Sequence, residues 1–133
     1  MSAHPLSRGA ARGAGFAALV AGAIAVGSCV SEHSTGTISV AGCTTPPAAA
    51  GLPVVFIKQF AYVPAQLHVT AGQRVAWVNC EQDGTPHTVT ADDASSNSGL
   101  MNPNDVYIRA IPAGTLPYHC DLHPFMKATV IGD

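Results

Sequence analysis

The chain is short, moderately apolar and weakly charged. It has 133 residues, of which 47% are hydrophobic and only 11% are charged, and its formal net charge at pH 7 is −2. This length allows one small domain with a modest core. Because the sequence has no basic patch, neither a nucleic acid nor an acidic substrate is expected as a partner.

Residues 1–28 are typical of an export signal. Their only charges are Arg8 and Arg12, and the apolar run in their second half is short for a bilayer span. The stretch Val26–Cys29, VGSC, resembles the lipobox of bacterial lipoproteins, in which the cysteine is acylated. The alternative is an ordinary secretory signal with Cys29 as a bystander. Both predict an exported protein in the periplasm or at the cell surface, and the lipobox adds a lipid anchor to the membrane at Cys29.

Residues 29–53 have the composition of a flexible tether. They are rich in Ser, Thr, Ala, Gly and Pro, and such a segment buries too little apolar surface to order itself. The run TISV at residues 37–40 is the one stretch that suits an edge strand.

The remainder, residues 54–133, shows the pattern of a β-sandwich domain. Apolar residues alternate with polar ones in about seven short runs that turn residues separate, and no long run carries a helical stripe. The fold class predicted is therefore all-β. The predicted strands cover residues 54–57, 66–69, 74–79, 87–91, 105–110, 115–120 and 127–131. The predicted inward-facing side chains include Leu67, Val69, Val75, Trp77, Ile108 and Val130.

Cys43 and Cys80 are candidates for a disulfide. An unassigned cysteine pair in an exported protein usually forms one, and a small core benefits from the extra stability. The alternative is two unpaired thiols.

Soft metal donors concentrate near the end of the chain. Cys120, His123 and Met126 follow the spacing Cys-x2-His-x2-Met, where a predicted strand passes into a loop. Pro124 stiffens that loop, since its φ is fixed and its ring favours an extended His123. A thiolate, neutral imidazoles and a thioether suit copper as both Cu(I) and Cu(II).

The fourth donor must come from elsewhere in the chain. His87, in the stretch GTPHTVT, opens a predicted strand and is the best candidate. Zinc is the main alternative metal, but structural zinc sites prefer four Cys or His ligands in paired spacings. Each residue alone also has a simpler explanation, as a surface histidine, a packing methionine or a buried thiol. Their joint occurrence favours the copper site.

Four stretches together resemble a cupredoxin, a type 1 blue copper protein, of the plastocyanin and amicyanin type. They are FAYVPAQLHVTAGQRVAWVN, TPHTVT, SGLM and PAGTLPYHCDLHPFMKATV. The short ligand loop with Pro124 and Phe125 before Met126 has the amicyanin spacing. The resemblance implies a Greek-key sandwich that holds one type 1 copper.

The resemblance also assigns residues to the site. It implies the copper ligands His87, Cys120, His123 and Met126. It further implies that the side-chain amide of Asn79 ties the two ligand loops together from outside the ligand set, where Pro124 also lies.

The expected function is one-electron transfer. A copper held by four protein donors has no position open for a substrate, so we expect neither enzyme activity nor a small-molecule substrate. We expect a monomer that shuttles electrons between redox proteins in transient complexes. Copper delivery or buffering outside the cytoplasm would need the same site and is the alternative. His119 beside Cys120 offers a weaker alternative, a subunit of a copper enzyme, but the other histidines that a catalytic copper needs are missing.

We expect electrons to enter and leave through His123, inside an apolar patch. Weak redox encounters need only a small interface. The predicted patch consists of Leu100, Met101, Leu122, His123, Pro124 and Phe125. The alternative is that these side chains only shield the copper.

Overall fold

The structure is a computed structural model that describes residues 40–133. The predicted export signal, Cys29 and residues 37–39 of the possible edge strand lie outside the described residues. Val40, the last residue of that run, lies outside any strand. Within residues 40–133, no helix is both long enough and apolar enough to cross a membrane.

The regular secondary structure of the described region consists almost entirely of β-strands, which confirms the predicted fold class. The strands are β1 (Val54–Lys58), β2 (Ala61–Val63), β3 (Gln66–Val69), β4 (Arg74–Asn79), β5 (Thr90–Ala91), β6 (Val106–Ala110), β7 (Gly114–His119) and β8 (Lys127–Gly132). One 3-10 helix spans Pro47–Ala49. Every predicted run overlaps a strand. The sequence pattern missed β2, because its three residues are too few to show an alternation.

The strands form two four-stranded sheets. The first sheet has the order β2-β1-β4-β6 and the second has the order β3-β8-β7-β5. Two neighbouring pairs are parallel: β1 with β4, where Val55 lies opposite Trp77, and β3 with β8, where Leu67 lies opposite Val130. Parallel neighbours cannot be joined by a tight hairpin, so the chain crosses over between them.

The main core lies between the sheets, because both contribute side chains to one buried cluster. Val69, Val75, Trp77 and Val130 are buried in it as expected, and Leu67 packs against its edge. Ile108 was predicted to face inward, and that prediction is wrong. Successive side chains on a strand point to opposite faces. In β6 it is Tyr107 that packs on the inner cluster, while Ile108 contacts a second cluster on the outer face of the first sheet.

The outer face of the first sheet is covered by the second half of the segment that composition assigns to a tether. Phe56, Ala76 and Val78 form the sheet side of this second cluster. Ala49 is fully buried against them and Leu52 packs beside it. Residues 40–53 therefore differ from the expected flexible tether. A few small apolar side chains are enough to order this segment when the sheet supplies an apolar surface against which they can pack. The composition of residues 40–53 alone does not show this, because the apolar surface belongs to another part of the chain.

A disulfide attaches the covering segment to the sheet. Cys43 and Cys80 are bonded to each other, with their Cα atoms 5.5 Å apart. Cys80 directly follows the last residue of β4. The covering segment is therefore linked covalently to the loop that leads from β4 to His87.

Candidate metal centre

The loop Cys120–Met126 is a compact turn between β7 and β8. Backbone hydrogen bonds close it on itself: the His123 N–H donates to the Cys120 carbonyl at 3.3 Å, and the Met126 N–H donates to the His123 carbonyl at 2.8 Å. The Cys120 N–H in turn donates to the Met126 carbonyl at 3.2 Å. Pro124 follows His123 at the second position of this last turn, where its fixed φ is favourable. The loop therefore holds three donor residues in one small frame.

His87 approaches the Cys120–Met126 loop from the connection between β4 and β5. It lies before β5 and pairs with Met101 through two backbone hydrogen bonds of 2.8 and 3.1 Å. This pairing fixes the backbone of His87 ahead of the short strand β5, which explains why the strand begins later than predicted. The His87 side chain is fully buried.

The structure brings one cysteine and two histidines into contact. Cys120 Sγ lies 3.7 Å from Nδ1 of His87 and 3.7 Å from Nδ1 of His123, and the two Nδ1 atoms are 3.2 Å apart. A triangle with these sides has its centre about 2 Å from each corner, close to the bond lengths that imidazole and thiolate ligands make with a metal ion. The three residues therefore fit a bound metal.

Met126 lies in the same buried cluster as Cys120. Its side chain is 2% exposed, and Cys120 is fully buried. The Thr88 N–H donates to Cys120 Sγ at 3.3 Å, which orients the sulfur. One thiolate and two imidazoles, with the Met126 thioether in the same buried cluster as the cysteine, suit copper better than magnesium, calcium or structural zinc.

Glu81 orients the His87 ring so that Nδ1 is available to bind a metal. Burial lowers the pKa of the His87 imidazole, while the hydrogen bond and charge of Glu81 act in the opposite direction. Nε2 of His87 lies 3.3 Å from Glu81 Oε1, so Nε2–H donates to the carboxylate and Nδ1 keeps its lone pair for a metal. Sequence reasoning missed Glu81, because a glutamate six residues from a histidine has no distinctive spacing.

Asn79 is a buried support of this site, but it does not join the two ligand loops directly. Its side-chain amide donates to the carbonyls of Thr85 and Met101, at 3.0 and 2.8 Å, and its Oδ1 accepts the Glu81 N–H at 3.0 Å. All three partners belong to the His87 side of the site. The direct tie expected from the resemblance is therefore wrong in this chain, where the amide is already saturated by its neighbours.

Thr88 makes the connection that was expected of Asn79. Besides its N–H bond to Cys120 Sγ, its Oγ1 accepts the Asp121 N–H at 2.8 Å. Thr88, which follows the ligand His87, thus contacts both the ligand Cys120 and the next residue, Asp121.

The predicted surface patch is only partly as expected. Leu100 is 63% exposed, Leu122 47% and Phe125 71%; Pro124 is exposed and His123 is half-buried. Met101 does not contribute surface, because its side chain is 3% exposed and belongs to the inner core. Phe60, which sequence reasoning missed, is 39% exposed and its ring lies 5.0 Å from that of His123. No sequence signal links Phe60 to a histidine 63 positions later.

His119 lies apart from this cluster. Its Nδ1 is 2.5 Å from Asp92 Oδ1 and its Nε2 is 3.3 Å from Asp121 Oδ1, so both ring nitrogens already have carboxylate partners. Among residues 40–133, the one group of three or more potential ligands is His87, Cys120 and His123. The described residues therefore offer no second metal site at His119.

A two-sheet β-sandwich with one buried cysteine and two histidines defines a small metal-binding protein of the blue-copper class. The chain belongs to the cupredoxin-like family, whose domain model matches residues 21–131. This confirms the resemblance to the amicyanin type, since the similar proteins include amicyanins from two Paracoccus species. Amicyanin from Paracoccus denitrificans is 33% identical over 87 residues, 61% of this chain and 65% of that protein. The chain thus spans slightly less than two thirds of that relative.

Solved structures agree with this assignment. A reduced amicyanin variant superposes with a TM-score of 0.57 at 32% identity, over 64% of this chain and 85% of the other. A second amicyanin variant, in its reduced Cu(I) form, has a TM-score of 0.55 at 27% identity, over 74% of this chain and 89% of the other.

Proposed function

We propose that this protein is a mononuclear blue-copper electron carrier. His87, Cys120, His123 and Met126 would hold one copper, which would supply one-electron exchange between Cu(I) and Cu(II). The observation that carries the proposal is the triangle of Cys120 Sγ with the two Nδ1 atoms, whose sides of 3.2 to 3.7 Å suit a central metal. Membership of the cupredoxin-like family supports it.

The protein's part in electron transfer is to keep the donors still. Cys120 is buried and its sulfur accepts the Thr88 N–H. The ligand loop is closed by its own backbone hydrogen bonds, and His87 is fixed by Met101 and Glu81. Ligands that cannot move to the geometry preferred by Cu(I) or by Cu(II) rearrange little when the electron is transferred. A rigid sandwich therefore favours fast exchange.

The half-buried ring of His123 is the proposed route for the electron. The exposed rings of Phe60 and Phe125 lie 5.0 and 6.0 Å from that of His123, and we expect the exposed side chains of Leu100 and Leu122 to extend this apolar surface. Transient redox complexes use small interfaces that dissociate quickly. Such a surface suits a redox partner protein better than a permanent subunit, and we expect the carrier to be a monomer.

The protein is further proposed to be exported and lipid-anchored at Cys29. The disulfide between Cys43 and Cys80 supports export, since such bonds persist mainly in oxidising compartments. Mass spectrometry of the mature N-terminus tests the anchor: we expect diacylated Cys29 in the membrane fraction and release of a Cys29→Ser variant into the soluble fraction. A mature N-terminus other than residue 29 would remove the anchor from the proposal.

Optical spectroscopy with voltammetry tests the proposed function. The copper-loaded protein is expected to show an intense visible thiolate-to-copper absorption and a reversible one-electron wave. The Cys120→Ser variant is expected to lose both, because serine removes the sulfur, whereas His68→Ala changes an exposed histidine far from the ligands and keeps both. A colourless protein that binds only Cu(I) and passes it to an acceptor would contradict electron transfer and favour copper delivery.

A further inference from the structure

The turn between β1 and β2 has an unusual sequence for its conformation. Lys58 pairs with Ala61, so the turn consists of only Gln59 and Phe60, whose φ angles are +52° and +56°. Two-residue hairpin turns with positive φ at both positions normally use Asn and Gly, because a Cβ atom disfavours this region. A bulky aromatic residue in such a turn requires other contacts to hold it there.

The Phe60 ring contacts both proposed histidine ligands. Its centroid lies 5.0 Å from that of His123 and 5.6 Å from that of His87, with interplanar angles of 88° and 86°. Aromatic rings at these separations attract each other in the edge-to-face arrangement. Because Phe60 is 39% exposed, burial in the core does not explain its position.

Glu81 connects this turn to the metal centre. Its Oε1 accepts the Phe60 N–H at 2.8 Å and lies 3.3 Å from Nε2 of His87. The Glu81 side chain is nearly buried, and its backbone N–H is held by Asn79. One carboxylate oxygen therefore binds both the turn and a ligand ring, which makes the position of the turn dependent on the site.

We infer that Phe60 is a positioning residue for His123 and that Glu81 holds Phe60 in place. His123 is the half-buried ligand of the three, and its loop supplies mainly backbone bonds. The His123 imidazole belongs to the loop between β7 and β8 of the second sheet. The β1–β2 turn, which belongs to the first sheet, restrains it through Phe60. The inference rests on the proposed function only for the identity of the ligands.

Two pairs of variants test this inference. Phe60→Gly removes the ring and also relieves the left-handed backbone, whereas Gln59→Gly relieves the same turn and keeps the ring. Glu81→Ala removes the acceptor for both the Phe60 N–H and His87, whereas Glu81→Gln keeps a carbonyl oxygen in that place. The wild type and the four variants are compared as metal-free and Zn(II)-loaded proteins by NMR of the histidine rings, and Zn(II) and Cu(I) affinities are measured by competition.

Phe60→Gly and Glu81→Ala are expected to shift and broaden the His123 ring signals and to weaken metal binding by about 10- to 100-fold, the usual effect of losing a group that orients a ligand. Gln59→Gly is expected to remain close to the wild type, whereas Glu81→Gln is expected to keep the His123 ring signals and to lose only the part of the affinity that the charge of Glu81 contributes through His87. If Phe60→Gly keeps the wild-type ring signals and affinity, the inference is wrong. The same holds if Gln59→Gly perturbs His123 as strongly as Phe60→Gly does.

The two proposals fail in different ways. A wild-type protein that binds neither Zn(II) nor Cu(I) at His87, Cys120 and His123 contradicts the proposed function together with this inference. A wild-type protein that binds metal and gives the copper absorption, alongside a Phe60→Gly variant indistinguishable from it, contradicts the inference alone.

Discussion

The two sides of the metal centre are built in different ways. The Cys120–Met126 loop contributes three donor residues and closes through backbone hydrogen bonds among its own members. The His87 side contributes one donor and depends on distant partners: Asn79 bonds Met101 across 22 positions, and Phe60 bonds Glu81 across 21. The first side is a local structure, whereas the second exists only in the folded chain.

This difference indicates where each side is vulnerable. The backbone of a local loop survives changes elsewhere as long as its own residues remain, even where one of its side chains, such as that of His123, depends on a distant contact. The His87 side loses its arrangement when any one of several buried polar contacts is removed, because each leaves an unsatisfied partner in the interior. Three changes in the protein can test this contrast.

Loss of the disulfide is expected to have the largest effect on stability. Cys43 and Cys80 are 37 positions apart, and closing a loop of this size in the unfolded chain stabilises the native state by about 4 kcal/mol. The double variant Cys43→Ala, Cys80→Ala should lose roughly that amount of unfolding free energy, measured by urea denaturation of the metal-free protein.

The same double variant sharpens the contrast between the two sides. Since Cys80 lies between Asn79 and Glu81, any native-state change should appear at the His87 ring before it appears in the Cys120–Met126 loop. Chemical shifts of the metal-free protein report both. A loss of stability below about 1 kcal/mol would contradict the role assigned to the disulfide.

Replacement of Asn79 is expected to be the next largest effect. The residue is fully buried and its side chain serves Thr85, Met101 and Glu81. Asn79→Ala leaves these groups without a partner and should cost about 2–3 kcal/mol of unfolding free energy in a urea titration. We also expect the His87 ring signals to move while the backbone signals of the Cys120–Met126 loop stay in place.

Asn97 provides the matched control for Asn79. It is exposed, and its side chain donates to Asp121 at 2.9 Å. Asn97→Ala should cost less than about 1 kcal/mol, as is usual for surface changes. Equal losses for the two variants would show that burial of Asn79 does not set its importance.

The smallest expected effect concerns Asp121, which ties the local loop to its surroundings. The Thr90 hydroxyl, the Asn97 amide and the nearby His119 hold the pKa of the Asp121 carboxyl below its usual range. A lowered pKa in the folded state adds stability above the unfolded value of about 3.9, and that stability is lost as the pH falls through the folded value.

Asp121→Asn should therefore flatten the acid side of the stability curve. The carboxylate is partly exposed, so the change should be below about 1 kcal/mol. Unfolding free energies of the metal-free protein from neutral pH to below pH 4 measure it, relative to the wild type. Identical acid slopes for the two proteins would mean that these hydrogen bonds do not favour the charged form.

Several features of the fold and site could be predicted because they are written in neighbouring residues. The Cys-x2-His-x2-Met spacing determines which donors share a loop, and the alternation of apolar residues indicates the strands. Errors arose where the pattern was too short or the face ambiguous. β2 has only three residues, and the alternation along β6 does not say whether Tyr107 or Ile108 points inward.

Other features could not be predicted because their cause lies far along the chain. Met101 is as apolar as Leu100, yet the pairing with His87 buries it while Leu100 remains 63% exposed. Residues 40–53 are ordinary tether material by composition, and they gain a place only because the outer face of the first sheet is apolar.

The amino-acid sequence by itself determined the all-β character, the donor loop and the soft chemistry of the site, because periodicity and short spacings act through the local geometry of the chain. The sequence also suggested His87 as a further ligand, but only the tertiary structure decided how closely His87 approaches Cys120 and His123, that Glu81 and Phe60 support the site, and that Thr88 links its two sides. These contacts join residues that the unfolded chain keeps far apart, so nothing specifies them until the two sheets have packed together.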